Sequence, residues 1–346
     1  MALPRPTHQF TIPSVYDDVQ LQCRLYHPIH LKPSDKKSTW TKKGAMVAHP
    51  YAPLGGCYDD PVVAIIADEL LKAGYIVGTF NLRGAGGSQG RTSWTGRPEL
   101  GDFVSFYAFL VYYILGLDPI SKPSSDTATG SGSARGEPSR AEIIVSGYSY
   151  GSMLATYLPS LESIQIAFEE HKEAKAPVKI LQEAHNMSSK WNRGIGSQDD
   201  ANQPCYPAHS IETTESNDIN ISYLLVSPIL PPISLFTATA LLTSTSKLTT
   251  TIQGKLLQGS DLHTKASEHR TLALYGDRDG FTSSKRSNDL CEELKKLEHS
   301  RFGSVLVEGA GHFWHEDEAE VQMRNAIRNW IATDDIYPDL YSNTTI

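Results

Sequence analysis

The chain has 346 residues, of which 40% are apolar and 20% are charged, and its net charge at neutral pH is −8. This composition is typical of a soluble globular protein, long enough for one large domain or two average ones. The negative net charge disfavours nucleic acid or an anionic membrane surface as the main partner.

Cysteine usage and the apolar runs favour a cytoplasmic protein. The cysteines lie far apart and form no Cys-x-x-Cys pair, which predicts free thiols in a reducing compartment rather than a zinc site or a disulfide framework. The cysteines are Cys23, Cys57, Cys205 and Cys291. The first residues lack the apolar core of a secretory signal, and the longest apolar run, 103–117, is short for a bilayer. We therefore expect no membrane span.

Hydrophobic periodicity predicts strands that alternate with helices along the chain. The predicted elements, in order, are strands at 9–12, 20–26 and 45–49, a helix at 61–73, a strand at 75–80, a helix at 103–117, a strand at 142–146, a helix at 150–158, strands at 223–226 and 271–275, a helix at 283–297, a strand at 304–308 and a helix at 316–331. This alternation predicts an α/β fold with a mainly parallel sheet covered by helices on both faces.

Segments without clear periodicity interrupt this pattern. Residues 121–140 are rich in Ser, Gly and Pro, which predicts a flexible insertion. Residues 164–218 are polar and poorly periodic, which predicts a polar insertion that could form a lid. Within it, residues 186–218 predict either a lid contact through Met187, Trp191 and Tyr206 or a solvated tether. The Leu- and Thr-rich stretch 235–258 is interpreted as a cap segment.

The motif with the clearest chemistry is Gly147-Tyr148-Ser149-Tyr150-Gly151, which follows a predicted strand and begins a predicted helix. A Gly-x-Ser-x-Gly turn in this context holds the serine in a strained backbone conformation, with its hydroxyl clear of the sheet. A glycine-rich turn that merely joins a strand to a helix is the alternative. The pattern makes Ser149 a candidate nucleophile.

A serine nucleophile needs a general base held by an acid, and candidates follow the next predicted strands. Asp277 and Asp279 follow the strand at 271–275, and His312 follows the strand at 304–308. His315 lies three residues after His312 and is interpreted as a solvated residue near a helix start. Because the carboxyl ends of parallel strands share one edge of a sheet, we expect these groups to meet Ser149 there.

With Ser, Asp and His in this order, the chain resembles the α/β-hydrolase superfamily over about residues 40–161 and 221–333. The segments HPYAPLGG (49–56) and FNLRGAGGSQG (80–90) resemble a subfamily with HPxxxxGG and FNxRGxGxSxG motifs. The resemblance implies one α/β-hydrolase domain over 1–346, with Asp279 as the acid, since the family turn is Gly-x-x-Asp. It also implies an oxyanion hole formed by the N–H groups of Tyr150 and Tyr51.

Other residues in these motifs have structural or alternative interpretations. We interpret Arg83 as a brace between loops and His49 as a strand-end histidine bonded to backbone. A dinucleotide loop from Gly84 is disfavoured because Gln89 stands where the third glycine is required. A metal at His312 is disfavoured because no His-Glu-x-x-His motif is present and a Ser/His/Asp set already explains this histidine.

The sequence thus predicts a serine hydrolase that cleaves a small-molecule carboxylic ester or thioester and needs no cofactor or metal. The same machinery also serves acyltransferases, lactonases and peptidases, and the superfamily includes interaction proteins that have lost catalysis. Nothing in the insertions identifies the substrate.

Overall fold

The computed structural model describes residues 3–29, 31, 40–118, 140–170, 175–194, 219–229 and 248–336. The insertion predicted at 121–140 lies outside these residues except for Arg140, and Tyr206 lies outside them as well.

The described strands form a large sheet and a small hairpin. The strands are β1 His8–Pro13, β2 Gln20–Tyr26, β3 Lys43–Ala48, β4 Ile76–Phe80, β5 Ala141–Tyr148, β6 Ile219–Val226, β7 Thr249–Ile252, β8 Lys255–Gln258, β9 Arg270–Gly276 and β10 Phe302–Val307. Within the described residues the large sheet has eight strands in the order β1-β2-β4-β3-β5-β6-β9-β10. In this sheet β2 is antiparallel to both β1 and β4. The other strands, β4, β3, β5, β6, β9 and β10, run parallel to one another. The predicted mainly parallel α/β fold is confirmed.

Helices cover both faces of this sheet. They are α1 Pro61–Lys72, α2 Arg97–Leu115, α3 Tyr150–Tyr157, α4 Leu161–Glu170, α5 Lys175–Asn192, α6 Leu262–Glu268, α7 Ser284–Lys295 and α8 Asp317–Ile336, with a short 3₁₀ helix at Ala52–Leu54. Alternate side chains of β5 point to opposite faces: Ile144 packs in the core beneath α1 and α8, whereas Ile143 and Val145 pack in the core beneath α2 to α5.

The long apolar run is the buried helix α2, which begins six residues before the predicted start. Its residues from Leu100 to Val111 are all buried, so apolar side chains surround the helix and blur its periodicity. Pro98 and Glu99 occupy its first turn, where proline and acidic residues are favoured. Among the helices of the described ranges, none has the length and apolar character needed to cross a membrane.

The expectation of an irregular polar segment is wrong for residues 164–170 and 175–192, which lie in α4 and α5. On α5, Ile180, Ala184 and Met187 are buried at helical spacing, and the polar residues between them face outwards. The Trp191 ring centroid lies 3.9 Å from that of His27, beside the end of β2. Met187 and Trp191 are therefore packing residues of the α5 face rather than lid contacts. A lid role stays a prediction only for residues 195–218, outside the described part of the chain.

The described end of the predicted cap segment is the β7–β8 hairpin. It packs against the start of α2, where the Thr250 hydroxyl donates to the carbonyl oxygen of Arg97 at 2.8 Å. A β-carbon placed on Gly96 would lie 3.4 Å from the Tyr150 hydroxyl and 3.5 Å from Leu248. The hairpin is thus anchored close to the residue that follows Ser149.

Candidate active site

Ser149 lies in a strained turn between β5 and α3. Its φ and ψ are 54° and −113°, a conformation that L-residues rarely adopt. A β-carbon on Gly147 would lie 2.3 Å from the carbonyl carbon of Gly151, and one on Gly151 would lie 2.6 Å from the oxygen of Ala48. Only glycine fits at both positions, and this close approach fixes the turn that presents the hydroxyl.

The structure brings His312 and Asp279 to this serine. The Ser149 Oγ is 2.8 Å from Nε2 of His312, and Nδ1 of His312 is 2.7 Å from Oδ2 of Asp279. All three side chains are well buried: Ser149 and His312 are 4% and 6% exposed, and the Asp279 side chain is 3% exposed. Asp279 follows β9 and His312 follows β10, so neighbouring parallel strands deliver both groups to one edge.

Asp279 is held as a carboxylate. Burial favours its neutral form, but the hydrogen bond and charge of His312, together with the N–H groups of Phe281 and Thr282, outweigh this and lower the pKa of Asp279. Its Oδ1 accepts from these N–H groups at 2.7 Å and 3.1 Å, which leaves Oδ2 for the histidine. The arrangement favours the tautomer in which Nδ1 carries the proton and Nε2 accepts from Ser149.

The rival acid and base have other contacts. Oδ1 of Asp277 accepts from the N–H of Gly309 at 2.7 Å, and it thereby ties the turn after β9 to the turn after β10. His315 is exposed, and its ring stacks on that of Phe313. Asp277 and His315 therefore make no contact with the ring nitrogens of His312. Nε2 of His312 is hydrogen-bonded to Ser149, and Nδ1 is hydrogen-bonded to Asp279.

Two aromatic residues that the sequence analysis missed also position His312. The Tyr148 hydroxyl donates to the backbone oxygen of His312 at 2.8 Å, and the ring of Phe281 lies 4.2 Å from the imidazole. The alternation of β5 could have assigned Tyr148 to the α1 and α8 face. It could not have shown which loop lies above that face, because this contact spans 164 residues of sequence.

Tyr150 and Tyr51 border the same cavity as Ser149. Tyr150 is the first residue of α3, and the first N–H groups of a helix have no acceptor within the helix. Tyr51 precedes the 3₁₀ helix in extended conformation, and its ring lies edge-on to that of Tyr150 at 5.2 Å. Their role as oxyanion donors stays a prediction.

His49 ties the loop that carries Tyr51 to the segment after β4. Its Nε2 accepts from the N–H of Leu82 at 2.9 Å, while Nδ1 lies 2.6 Å from the carbonyl oxygen of Pro50. One ring nitrogen must accept and the other must donate, so the imidazole is neutral. Burial lowers the pKa of His49 to about 4 despite the opposing effect of the Pro50 hydrogen bond. The interpretation of His49 as a histidine bonded to backbone is confirmed.

Arg83 is a buried brace, as predicted. Its Nε and Nη2 donate to the Asp102 carboxylate at 2.9 Å and 2.6 Å, and Nη1 donates to Asp17 at 2.8 Å. These carboxylates raise the pKa of Arg83 although burial opposes its charge. The guanidinium thus joins the β1–β2 turn, the loop after β4 and helix α2.

Comparison with known proteins identifies the fold. No protein-family model matches the sequence. No curated protein matches it either. An α/β serine hydrolase without a lid from Xanthomonas campestris has a TM-score of 0.50 and 14% identity, over 96% of this chain and 97% of that chain. A putative α/β-hydrolase of unknown function from Agrobacterium tumefaciens has a TM-score of 0.51 and 15% identity, over 96% and 98% of the two chains. Est1E from Butyrivibrio proteoclasticus has a TM-score of 0.51 and 12% identity, over 95% and 100%.

The chain therefore has the α/β-hydrolase fold, with the parallel sheet and helical layers described above. At these identities the likeness concerns the fold and not the chemistry. Membership of the subfamily with the HPxxxxGG and FNxRGxGxSxG motifs stays a prediction.

The neutral state of His49 predicts an acid-dependent loss of stability. Its pKa falls from 6.5 to about 4 on folding, so between these values the unfolded chain binds a proton that the folded chain does not. The stabilisation is present above pH 6.5 and is lost as the pH falls towards 4, by up to about 3 kcal/mol. Urea unfolding of the parent and of His49→Gln, whose amide can make both hydrogen bonds, should show a shallower loss in the variant. Equal pH slopes would contradict the assignment.

Paired substitutions test whether Asp279 and His312, and not the neighbouring Asp277 and His315, are the acid and the base. Asp279→Asn should lower the turnover of an activated ester by about three to four orders of magnitude, because the amide disfavours the required histidine tautomer. Asp277→Asn keeps an acceptor for Gly309 and should stay near the parent rate. Likewise His312→Gln should be inactive and His315→Gln active. The opposite ranking in either pair, measured with p-nitrophenyl acetate, would transfer the role to the neighbour.

Proposed function

We propose that the chain is a serine hydrolase that cleaves a carboxylic ester or thioester through an acyl-enzyme intermediate. The observation that carries the proposal is the buried hydrogen-bonded chain from Ser149 through His312 to Asp279. A nucleophile, a base and an orienting acid in contact form the arrangement needed to activate a hydroxyl. The Xanthomonas campestris protein of the same fold is described as a serine hydrolase, which agrees with this proposal.

In the acylation half of the reaction, the Ser149 Oγ forms a bond to the substrate carbonyl carbon while its proton moves to Nε2 of His312. The carbonyl electrons move onto the oxygen, which the N–H groups of Tyr150 and Tyr51 stabilise. When the carbonyl re-forms, the bond to the alcohol or thiol breaks, and this leaving group takes the proton from Nε2. Asp279 stabilises the imidazolium between these steps.

Deacylation repeats the sequence with water. His312 accepts a proton from the water as its oxygen bonds to the acyl carbon, and the collapse of the second tetrahedral intermediate returns the proton to Ser149. The products are a carboxylic acid and regenerated enzyme. Every proton transfer in this scheme uses Nε2, the nitrogen that lies 2.8 Å from the serine.

Ser149→Ala tests the nucleophile. The variant should lose labelling by a fluorophosphonate probe and several orders of magnitude of ester turnover, because members of a triad act as a unit. Its unfolding midpoint should stay near that of the parent, since Ala fits the same turn. Ser163→Ala, on helix α4, is the matched control and should be labelled like the parent.

A labelled Ser149→Ala variant, or one that turns over esters near the parent rate, would show that the nucleophile lies elsewhere. A parent chain that is neither labelled nor active on any ester would instead indicate a non-catalytic protein of this fold.

A further inference from the structure

The cavity beside Ser149 is small and aromatic. Its volume is about 100 Å³, less than the roughly 150 Å³ of an apolar cavity that holds a benzene molecule. Aromatic side chains make up much of its lining, namely those of Tyr51, Tyr148, Tyr150, Phe281 and Phe313. The described walls therefore fit a short acyl group, and an aromatic ring of the substrate would have to lie towards the mouth.

The mouth of the cavity continues this apolar surface. Leu54 and Phe313, which both line the cavity, are 60% and 51% exposed, a large exposure for apolar side chains. The Phe313 ring is held edge-on to Phe281 with 5.8 Å between centroids, and it lies 5.5 Å from the His312 ring. An aromatic leaving group next to the serine would meet ring edges and faces here.

One charged side chain is built into this apolar lining. Among the cavity-lining residues that the structure describes, Asp60 is the one carboxylate, and none is Lys or Arg. The Asp60 side chain is held at this position, because its Oδ1 accepts from the N–H of Val62 at 2.8 Å and caps helix α1. Burial raises the pKa of Asp60, although the hydrogen bonds from the backbone at the start of the helix oppose this shift. A raised pKa of this origin indicates that the carboxylate is partly desolvated.

We propose that this site selects short, uncharged acyl groups carried on an aromatic alcohol, and that the Asp60 carboxylate excludes anionic acyl groups. The inference rests on the proposed hydrolase function and names its substrate class. Like charges in a partly desolvated pocket repel, and no Lys or Arg among the described lining residues offsets the repulsion. Asp60 is thus a specificity residue and takes no part in proton transfer.

A matched ester series tests the proposal on the parent chain. Benzyl acetate and benzyl butyrate should have the highest kcat/KM, and benzyl octanoate should be at least about tenfold lower, because the cavity cannot enclose its chain.

Cyclohexylmethyl acetate, which has a similar leaving-group basicity but no aromatic ring, should be about two- to tenfold lower in kcat/KM than benzyl acetate. In Phe313→Leu this aromatic preference should shrink, whereas it should persist in Val321→Ala, which alters an exposed apolar residue of α8 outside the cavity lining.

The charge arm compares benzyl hemisuccinate, which carries a carboxylate, with benzyl butyrate. Asp60→Asn should raise the kcat/KM ratio of the anionic to the neutral ester at least about fivefold, because one unit charge at about 4 Å has this effect even in bulk water. Asparagine also caps helices, so the fold should be retained. Added salt should weaken the discrimination in the parent but not in the variant. The control is Asp59→Asn, which removes the adjacent exposed carboxylate, paired with Arg24 and outside the cavity lining.

The possible results distinguish a failure of this specificity proposal from a failure of the proposed hydrolase function. An unchanged ratio in Asp60→Asn, or an equal change in Asp59→Asn, overturns the role of Asp60. Turnover of benzyl octanoate equal to that of the acetate overturns the short-acyl selection, while labelling of Ser149 would leave the hydrolase function intact. A chain that shows neither labelling nor turnover of any ester overturns both.

Discussion

The close packing at the end of β5 is the constraint on which the site depends. Gly147 and Gly151 approach each other and the end of β3 so closely that no β-carbon fits at either position. This approach forces Ser149 into a strained backbone conformation with a positive φ, and α3 starts at the next residue. The strain lies at the proposed nucleophile, and the buried strands and helices on either side sustain it.

Polar contacts hold the surrounding loops to the same edge of the sheet. His49 joins the loop of Tyr51 to the segment after β4, and Arg83 joins that segment to α2 and the β1–β2 turn. Asp277 joins the turn that carries Asp279 to the turn that carries His312. The contacts of His49 and Arg83 satisfy buried polar groups, so the breaking of one would leave an unpaired partner in a region of low polarity. The contact of Asp277 is exposed. Such contacts fix the positions of the loops around Ser149.

The strands of the large sheet and the convergence of Ser149, Asp279 and His312 could be predicted, because buried strands and strand-end motifs leave local signals. Helix α5 was missed because its apolar face is narrow, with Ile180, Ala184 and Met187 among many polar residues. The contact of Tyr148 with the His312 loop could not be predicted, since it depends on how distant segments pack. The place of the Asp60 carboxylate in the cavity lining could not be predicted either, because it depends on the same packing of distant segments.

The central claim is that the turn at Ser149 places an activated hydroxyl beside two backbone N–H donors. A crystal structure of the chain after reaction with a p-nitrophenyl alkylphosphonate tests it most directly, because the adduct mimics the tetrahedral intermediate. We predict phosphorus bonded to the Ser149 Oγ and its oxygen about 2.7–3.1 Å from the N atoms of Tyr150 and Tyr51. A phosphonyl group on another residue, or an oxygen directed away from both N–H groups, would contradict this account.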